Sequence, residues 1–572
     1  MADILSQQYE SVFSEPKTDF SDLNLKEHLC PNLSDIEITE ESIRGAIRDM
    51  NVSSAPGPDG VAAFFLKEYV DQLIYPIMKI WRTSLDTGIL PEGTARAIIT
   101  PIYKGGEKSL PANYRPVALT NHLTKIFERV LRKELVKHLE SNNLMNSTQH
   151  GFRTGRSTTS QLLAYYEDVL SKLEQGYVVD SIYLDFAKAF DKVDHNVLLL
   201  KMKSLNITGK ILNWCEAFLK NRTQQVKVNG VLSDPVQVRS GVPQGSVLGP
   251  LFFLILMIDI NAGVFKAALG SFADDTRIWH AISAALEATQ LQDDLNQVFH
   301  WTTLNNMVLN DSKSEHMRLG CFDSDVTYST PDGTTIDTKK LIKDLGILME
   351  DNMLFHQHIT STVAKGMRMS GWALRTFRTR STPVMKIILQ SLIVSLMEYA
   401  CVIWSPIDSI HINLLESVQR KFTSRFACFQ TYDEVLQMPI CTTTYPDRLK
   451  KLKIYSLERR RERYMICYVY KIVIGLVVNP GLTFSYDPRR KIRAEPKMSS
   501  PLAANWIRKA RNSSFLFKAP KLYNTIPSAL RELEDINSPS KKHVTAFKEK
   551  LDHHLASIPD IPGSHSNTLL EH

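Results

Sequence analysis

Three acidic residues in this sequence stand where a carboxylate could bind a metal ion. Asp274 and Asp275 are adjacent and lie between short apolar stretches, as at the tip of a β-hairpin. Asp185 follows directly on the apolar, strand-like run at residues 182–184, where its charge needs a partner. Adjacent acids also occur in ordinary turns, so a set of unrelated surface acids is the alternative interpretation.

The chemistry that such a trio could support is phosphoryl transfer. Three carboxylates on neighbouring strands suit two Mg²⁺ ions about 4 Å apart, because oxygen ligands match a hard cation. One ion would lower the pKa of an attacking 3′-hydroxyl, and the other would stabilise a leaving pyrophosphate. The residues therefore predict a two-metal site that takes Mg²⁺, with Mn²⁺ as the alternative ion.

Three stretches around these acids resemble the polymerase motifs of reverse transcriptases. Residues 183–195 (YLDFAKAFDKVDH) resemble motif A, residues 241–251 (GVPQGSVLGPL) motif B, and residues 272–275 (FADD) motif C. Their order and wording are similar to those of non-LTR retrotransposon enzymes, in particular the jockey-like group. The resemblance extends from about residue 43 to the end of the chain.

This resemblance implies roles for the residues of motifs A and C. Asp185, Asp274 and Asp275 match the catalytic metal ligands, and the backbone carbonyl of Phe186 would be a further ligand. Phe190 matches the aromatic residue under the incoming sugar, where its ring would clash with a 2′-hydroxyl, so dNTPs are the expected substrates. Ordinary core packing is the alternative role of Phe190.

Other family blocks imply nucleotide contacts outside these motifs. Lys104 and Arg115 match finger residues that clamp the triphosphate, where cations offset its charge. Gln244 and Gly245 match the pair that lies along the nucleotide and template, and glycine permits close backbone approach. Lys313 resembles a lysine that protonates pyrophosphate, which makes it a further catalytic candidate.

The predicted nucleic-acid contacts lie in three places. Arg153, in a block at residues 149–153, is expected to contact template or nucleotide, and Gly346 lies in a block near the primer terminus.

The third place is the segment from 448 to 511. It holds 17 Lys and Arg but only four acids, and these cations are interleaved with aromatic residues, which suits phosphate neutralisation and base stacking. An amphipathic helix with a solvated cationic face is the alternative. The phosphate contacts predicted there are Lys450, Lys453, Arg459 and Arg463.

Three histidines in the region that follows the block with Gly346 could suggest a zinc site. They are His356, His358 and His411, and no cysteine accompanies them. We therefore do not predict a metal there.

The predicted elements mix strands and helices without a regular βα alternation, which indicates an α+β fold. Asn229 and Gly230, between alternating residues, are typical of a hairpin turn. The resemblance implies a right-hand polymerase with fingers, palm and thumb and a mainly helical, basic C-terminal region. The expected order is a polar leader (1–40), an N-terminal extension and fingers (41–180), a palm (181–340), a primer-grip region and thumb (341–440), and a basic helical region with a flexible tail (441–572). The reverse transcriptase domain as a whole would span about 85–350.

Composition narrows the class of protein. The 572 residues carry a net charge of +7, and 43% are hydrophobic, values typical of a globular chain. The seven cysteines form no CxxC pair, which favours a reducing compartment. The first 30 residues contain no apolar run of the kind that a secretory signal needs, and no apolar run in the chain is long enough for a membrane span. The expected location is therefore the nucleus, the cytoplasm or both.

The sequence therefore predicts an RNA-directed DNA polymerase that acts on an RNA template, a DNA primer and target, and dNTPs. The first family block begins about 40 residues after Met1, so the chain is expected to lack the endonuclease of the family. An inactive, nucleic-acid-binding remnant is the alternative. An RNA-copying RNA polymerase shares the Asp-Asp turn, but Phe190 at the sugar position argues against it.

Overall fold

The computed structural model describes residues 1–23, 25–262, 265–320, 326–485, 493–495, 497–498, 503–531, 539–562 and 568–571. Its helices are α1 (Ala2–Glu10), α2 (Glu40–Arg48), α3 (Ala63–Glu68), α4 (Val70–Thr87), α5 (His122–Ser141), α6 (Thr158–Glu174), α7 (His195–Ser204), α8 (Gly209–Leu219), α9 (Gly249–Leu256), α10 (Ala285–Leu304), α11 (His356–Thr376), α12 (Thr382–Ile388), α13 (Ser395–Met397), α14 (Ser409–Thr423), α15 (Tyr445–Leu452), α16 (Leu457–Val473), α17 (Asn505–Ser513), α18 (Phe515–Thr525), α19 (Ser528–Arg531) and α20 (Lys541–Leu555).

The strands form two larger sheets and three hairpins. They are β1 (Arg96–Tyr103), β2 (Tyr114–Leu119), β3 (Val178–Leu184), β4 (Arg222–Val228), β5 (Val231–Leu232), β6 (Val236–Val238), β7 (Ala268–Phe272), β8 (Asp275–Ile282), β9 (Glu315–Leu319), β10 (Asp337–Thr338), β11 (Leu341–Asp344), β12 (Ile347–Glu350), β13 (Gln430–Asp433), β14 (Met438–Cys441), β15 (Thr483–Ser485) and β16 (Arg493–Glu495). One sheet has the order β2-β1-β4-β5 with β6 on β4, and the other has the order β10-β9-β3-β8-β7. This mixture confirms the predicted α+β class.

The second sheet is covered on both faces, and its central strand β3 shows why. Val179 packs into a core shared with α6 and the C-terminal helices, whereas Ile182 and Leu184 pack into a core shared with the N-terminal helices and α7 to α9. Because successive strand residues point to opposite faces, the apolar residues at the two ends of β3 can serve both cores. This packing leaves the end of β3, and Asp185 after it, at the edge of the sheet.

The expected hairpin turn at Asn229 and Gly230 is confirmed. It joins β4 to β5, and both turn residues have positive φ, 50° and 86°. Such a two-residue turn matches the right-handed twist of the paired strands.

The first residues and the end of the chain are better ordered than the sequence predicts. Helix α1 lies on the first sheet, where Leu5 and Tyr9 are buried against Ile99 and Val226. At the other end, Asp560 accepts hydrogen bonds from the backbone and hydroxyl of Ser456. These residues of the predicted polar leader and flexible tail are thus held by specific contacts. Few local signals mark such segments, because their order comes from contacts with distant parts of the chain.

Candidate active site

The adjacent acids lie at the tip of a β-hairpin, as the sequence predicts. Phe272 pairs with Asp275 at the last position of the β7–β8 ladder, so the turn consists of Ala273 and Asp274. Strand β3 pairs with β8 on the other side, and Leu184 faces Thr276. The next residue, Asp185, therefore lies at the level of Asp275, which brings all three carboxylates to one edge of the sheet.

The two adjacent acids both have raised pKa values. Desolvation in the cleft raises the pKa of Asp274, and the charge of Asp185 adds to the effect. Desolvation, Asp274 and Asp185 together raise the pKa of Asp275 to about 6. Within the described part of the chain, neither Asp274 nor Asp275 forms an ion pair with a cationic side chain. A cluster of oxygen ligands whose charges repel one another suits a divalent cation such as Mg²⁺.

Lys313 and Phe186 also reach this edge. The Nζ of Lys313 lies 2.8 Å from Oδ2 of Asp185, and the lysine is 63% exposed, so the ammonium group can leave the carboxylate when another anion arrives. The backbone of Asp185 accepts a hydrogen bond from Asn310, and that of Ala187 donates one to Val308. The carbonyl of Phe186 lies between these two bonds and takes part in neither of them.

The turn that presents Asp274 is held by Gln149, the first residue of the block at 149–153 that the sequence predicts to contact template or nucleotide. Ala273 has φ 57°, which is uncommon for a residue with a side chain. The Oε1 of Gln149 accepts the N–H of Ala273 at 2.9 Å, and its Nε2 donates to the carbonyl of Ala273 at 3.2 Å. Gly151 approaches the same turn so closely that a Cβ on it would lie 2.4 Å from the nitrogen of Ala273. The block at 149–153 thus supports the turn that presents Asp274.

The motif B loop joins the active-site edge to the first sheet. Gln244 donates from Nε2 to Oδ1 of Asp191 at 2.7 Å, and its carbonyl accepts the N–H of Ala118 on β2 at 2.8 Å. Gly245 has φ 137°, and a Cβ on it would lie 2.4 Å from the carbonyl oxygen of Ala118. Only glycine fits this close approach.

A buried acid, Glu128 on α5, fixes the other end of the motif B loop. It accepts hydrogen bonds from the backbone of Val247 and Leu248 at 2.7 and 2.9 Å, and burial raises its pKa. No local pattern distinguishes Glu128 from the other acids of an amphipathic helix.

The predicted finger cations lie on the neighbouring strands β1 and β2. Lys104 directly follows β1, Arg115 lies on β2, and both side chains are exposed. Burial and the nearby charges of Lys188 and Arg115 lower the pKa of Lys104, and Arg115 is close enough to Asp274 to lower the pKa of that acid. Lys104, Arg115 and Lys188 therefore form a cluster of cations around Asp191, with Arg115 near Asp274, and Lys188 is a member that the sequence did not single out.

Phe190 is half-buried and held between two other rings. Its ring stacks on Phe253 with centroids 4.7 Å apart and contacts the edge of Phe152 at 6.1 Å. Core packing, the alternative role of Phe190, is therefore observed, and these contacts fix the ring in place beside Asp191 and the motif B loop.

The predicted primer-terminus block forms the hairpin β11–β12. Its turn consists of Leu345 and Gly346, with φ 44° and 89°. Leu345 of this turn lines one cleft of about 410 Å³ together with Asp185 and Asp275. Arg277, two residues after Asp275, forms a buried ion pair with Asp344, which ties this hairpin to β8. Sequence reasoning missed this pair, whose members are far apart along the chain.

The other predicted nucleic-acid contacts separate into two groups. Lys450 and Lys453 are exposed on and directly after α15. Arg153 instead pairs with Glu140 at 2.8 Å, and Arg463 pairs with Asp552. Arg459 is fully buried and donates to the carbonyl of Pro559 at 3.0 Å.

This arrangement corrects the expectation for part of the basic segment. Arg459 cannot reach a phosphate without unfolding its surroundings, because the side chain lies inside the packing of α16 against the end of the chain. Arg153 and Arg463 already have carboxylate partners. Other cations of the segment, among them Arg489 to Lys491, lie outside the described residues. Among the residues that are described, no helix is both long and apolar enough to cross a membrane.

Comparisons with known proteins agree with this geometry. The family model for reverse transcriptase (RNA-dependent DNA polymerase) matches residues 102–349. The chain is 27% identical over 468 residues to the probable RNA-directed DNA polymerase from transposon X-element of Drosophila melanogaster, covering 79% of this chain and 49% of that protein. It is 25% identical over 479 residues to the RNA-directed DNA polymerase from mobile element jockey of the same species, covering 81% and 51%.

A solved structure of apo telomerase from Candida tropicalis, truncated from its C-terminal domain, matches with a TM-score of 0.34 and 14% identity, covering 50% of this chain and 59% of that chain. The chain spans about half the length of the two curated relatives. The matched residues 102–349 contain Asp185, Asp274, Asp275, the motif B loop and all but the last residue of the β11–β12 hairpin. The predicted resemblance is confirmed over this domain: the reverse transcriptase model matches residues 102–349, and over a longer stretch the chain is similar to the RNA-directed DNA polymerases of non-LTR retrotransposons.

Proposed function

We propose that this chain extends a DNA primer with dNTPs on an RNA template by two-metal phosphoryl transfer. The observation that carries the proposal is the convergence of Asp185, Asp274 and Asp275 at one sheet edge, with raised pKa values at the two adjacent acids. Asp185, Asp274, Asp275 and the carbonyl of Phe186 would hold Mg²⁺. The bound ions supply the charge stabilisation that the transferring phosphoryl group needs.

The surrounding side chains would bind and orient the substrates. Lys104 and Arg115 would neutralise the triphosphate, and Gln244 would set the position of the nucleotide against the template. Phe190, held by its two ring neighbours, would exclude a 2′-hydroxyl. Lys313 would leave Asp185 and give a proton to the departing pyrophosphate.

The partners and location follow from this activity. An RNA template and a DNA primer would lie along the cleft between the carboxylates and the β11–β12 hairpin, with Gly346 near the primer terminus. Lys450 and Lys453 would contact phosphates beyond the cleft. The nucleus or the cytoplasm, where such substrates occur, would be the site of action.

The test is primer extension on poly(rA) with annealed oligo(dT), in Mg²⁺, with dTTP or UTP. Extension with dTTP alone is expected. Asp274→Asn should lower its rate about 1000-fold or more, since metal ligation contributes several kcal/mol to the transition state. The matched control is Asp293→Asn, an exposed acid on α10, which should extend normally.

Two other outcomes would contradict the proposal. Folded protein that binds the duplex but never extends the primer would favour the inactive, nucleic-acid-binding remnant. Equal use of UTP would show that Phe190 does not select the sugar and would favour an RNA polymerase.

A further inference from the structure

Two of the three histidines noted in the sequence meet at the surface, between helices α11 and α14. His356 is the first residue of α11, and His411 lies in the first turn of α14. Their rings are parallel within 9°, with centroids 4.4 Å apart. The third, His358, is elsewhere: it accepts the N–H of Leu348, and burial lowers its pKa to about 4.

Asp408 joins this pair of rings. It precedes α14, and its Oδ1 accepts the backbone N–H of His411 at 2.9 Å and lies 2.7 Å from Nδ1 of the same residue. One candidate ligand atom from each of His356, Asp408 and His411 lies within 4.8 Å of the others. A tetrahedral zinc ion with bonds of about 2.1 Å separates its ligands by about 3.4 Å, so small side-chain rotations would close the group around an ion.

An Asp-His ion pair alone does not account for this arrangement. It explains the contact between Asp408 and His411, but it leaves His356 without a role. Within the described residues, the ring of His356 has no hydrogen bond, and it stacks on the ring of His411. An ion that both rings and the carboxylate coordinate would account for all three positions.

We propose that His356, Asp408 and His411 form a zinc site, with water at the fourth position. Imidazole nitrogen and carboxylate oxygen are ordinary zinc ligands, and three protein ligands with an open position form a known zinc geometry. The site joins residues 52 positions apart in the chain, and it fastens the start of α11, which follows the primer hairpin, to α14. It does not depend on polymerase activity.

The turn before α11 provides a structural reason for a metal ion at this position. Met353 and Phe355 both have positive φ, 59° and 61°, although neither is glycine, and both are buried. Left-handed backbone at side-chain-bearing residues is strained unless its surroundings hold it. A metal ligand at His356, directly after Phe355, would hold the end of this turn.

The experiment is a Zn²⁺ titration of the metal-free full chain in excess Mg²⁺, by calorimetry. One equivalent should bind with an affinity that His411→Ala and His356→Ala each lower by at least about 10- to 100-fold. Asp408→Asn tests the carboxylate while keeping a good helix cap, since asparagine caps helices as well as aspartate. His300→Ala, an exposed histidine on α10, is the control and should bind normally.

Two further measurements separate this site from others. Zn²⁺ should raise the melting temperature of the wild type but not that of His411→Ala, because a ligand that binds only the folded form stabilises it. Substituted Co²⁺ should give a tetrahedral spectrum without thiolate charge transfer. Absence of binding, or equal binding by His411→Ala and the wild type, would refute the proposal, and thiolate bands would assign the metal to cysteine. Loss of primer extension in Asp274→Asn tests the other site independently.

Discussion

The catalytic edge, by which we mean the end of the second sheet that carries Asp185, Asp274 and Asp275, and the C-terminal helices are both rich in charged residues. They differ in how these charges are paired. At the edge, Asp274 and Asp275 have raised pKa values and, within the described residues, no ion-pair partner, whereas Asp185 pairs with Lys313. In the C-terminal helices, Arg511 is fully buried between Glu167 and Glu174, at 2.5 and 2.8 Å. A charged residue that has no ion-pair partner in the fold therefore indicates a functional site. A charged residue whose partner the fold supplies indicates a structural role.

Arg461 on α16 is another buried cation whose partner the fold supplies. It is almost fully buried and donates to the carbonyl of Met397 at 2.8 Å. Arg460 on the same helix pairs with Glu398. The positive charge that the sequence places in this segment is therefore used in part to hold α16 against its neighbours.

Breaking a paired cluster should have the largest effect on stability. Arg511→Met leaves Glu167 and Glu174 without their cation, and such a loss typically costs about 3 to 5 kcal/mol. Urea denaturation would measure the fall in the free energy of unfolding. Arg508→Met changes an exposed arginine on the same helix and should cost less than about 0.5 kcal/mol. Equal costs for the two variants would contradict the distinction between paired and solvated arginines.

Loosening the catalytic turn should reduce activity more than stability. Gln149→Met removes both hydrogen bonds to Ala273, so Asp274 should lose its fixed position, and kcat should fall by about 10- to 100-fold with little change in KM for the primer-template. Steady-state primer extension would measure both constants.

A second substitution tests the reason for that loss. Ala273→Gly removes the penalty for positive φ, so it should restore part of the activity of Gln149→Met. A rise in KM without a fall in kcat would instead assign Gln149 to substrate binding.

The exposed and the buried cations of the C-terminal region should differ in salt dependence. Replacing Lys450 and Lys453 by glutamine should lower the slope of log affinity against log salt by about one for each phosphate that the variant no longer neutralises. Arg459→Gln should leave the slope unchanged and lower the melting temperature. Duplex binding between low and moderate salt would measure the slopes, and a changed slope for folded Arg459→Gln would overturn its structural role.

Relieving the repulsion at the catalytic edge should have the smallest effect, with the opposite sign. The folded-state pKa of Asp275, about 6, lies above its ordinary value of 3.8, so in metal-free protein its ionisation costs stability as the pH rises from about 4 to 6. Asp275→Asn removes that cost and should stabilise the metal-free form at pH 7 by up to about 1 kcal/mol, because solvent screens the site.

The pH dependence of melting checks that prediction. The melting temperature of the metal-free variant should exceed that of the wild type at pH 7, and the two should converge near pH 4. Saturating Mg²⁺ should reverse the order, since only the wild type keeps all its ligands. Destabilisation by Asp275→Asn without metal would mean that the acid has a stabilising partner.

Local patterns were enough to predict the hairpin with its two acids, the Asn229 and Gly230 turn and the α+β class. These depend on turn residues and alternation over a few positions. The family motifs pointed to the carboxylates and to the motif B loop, where Gly245 has the close backbone contact that only glycine allows.

The chemistry at the sheet edge could thus be predicted from the sequence, because each acid directly adjoins the strand that carries it and the family motifs relate the two strands to one another. The other charges and amides that act with them could not, since folding brings them together from distant positions. Gln149 supports Ala273 across 124 positions, and Arg511 meets Glu167 across 344. The sequence pattern of a solvated arginine is the same as that of a buried one, because the difference lies in a partner that only folding brings near.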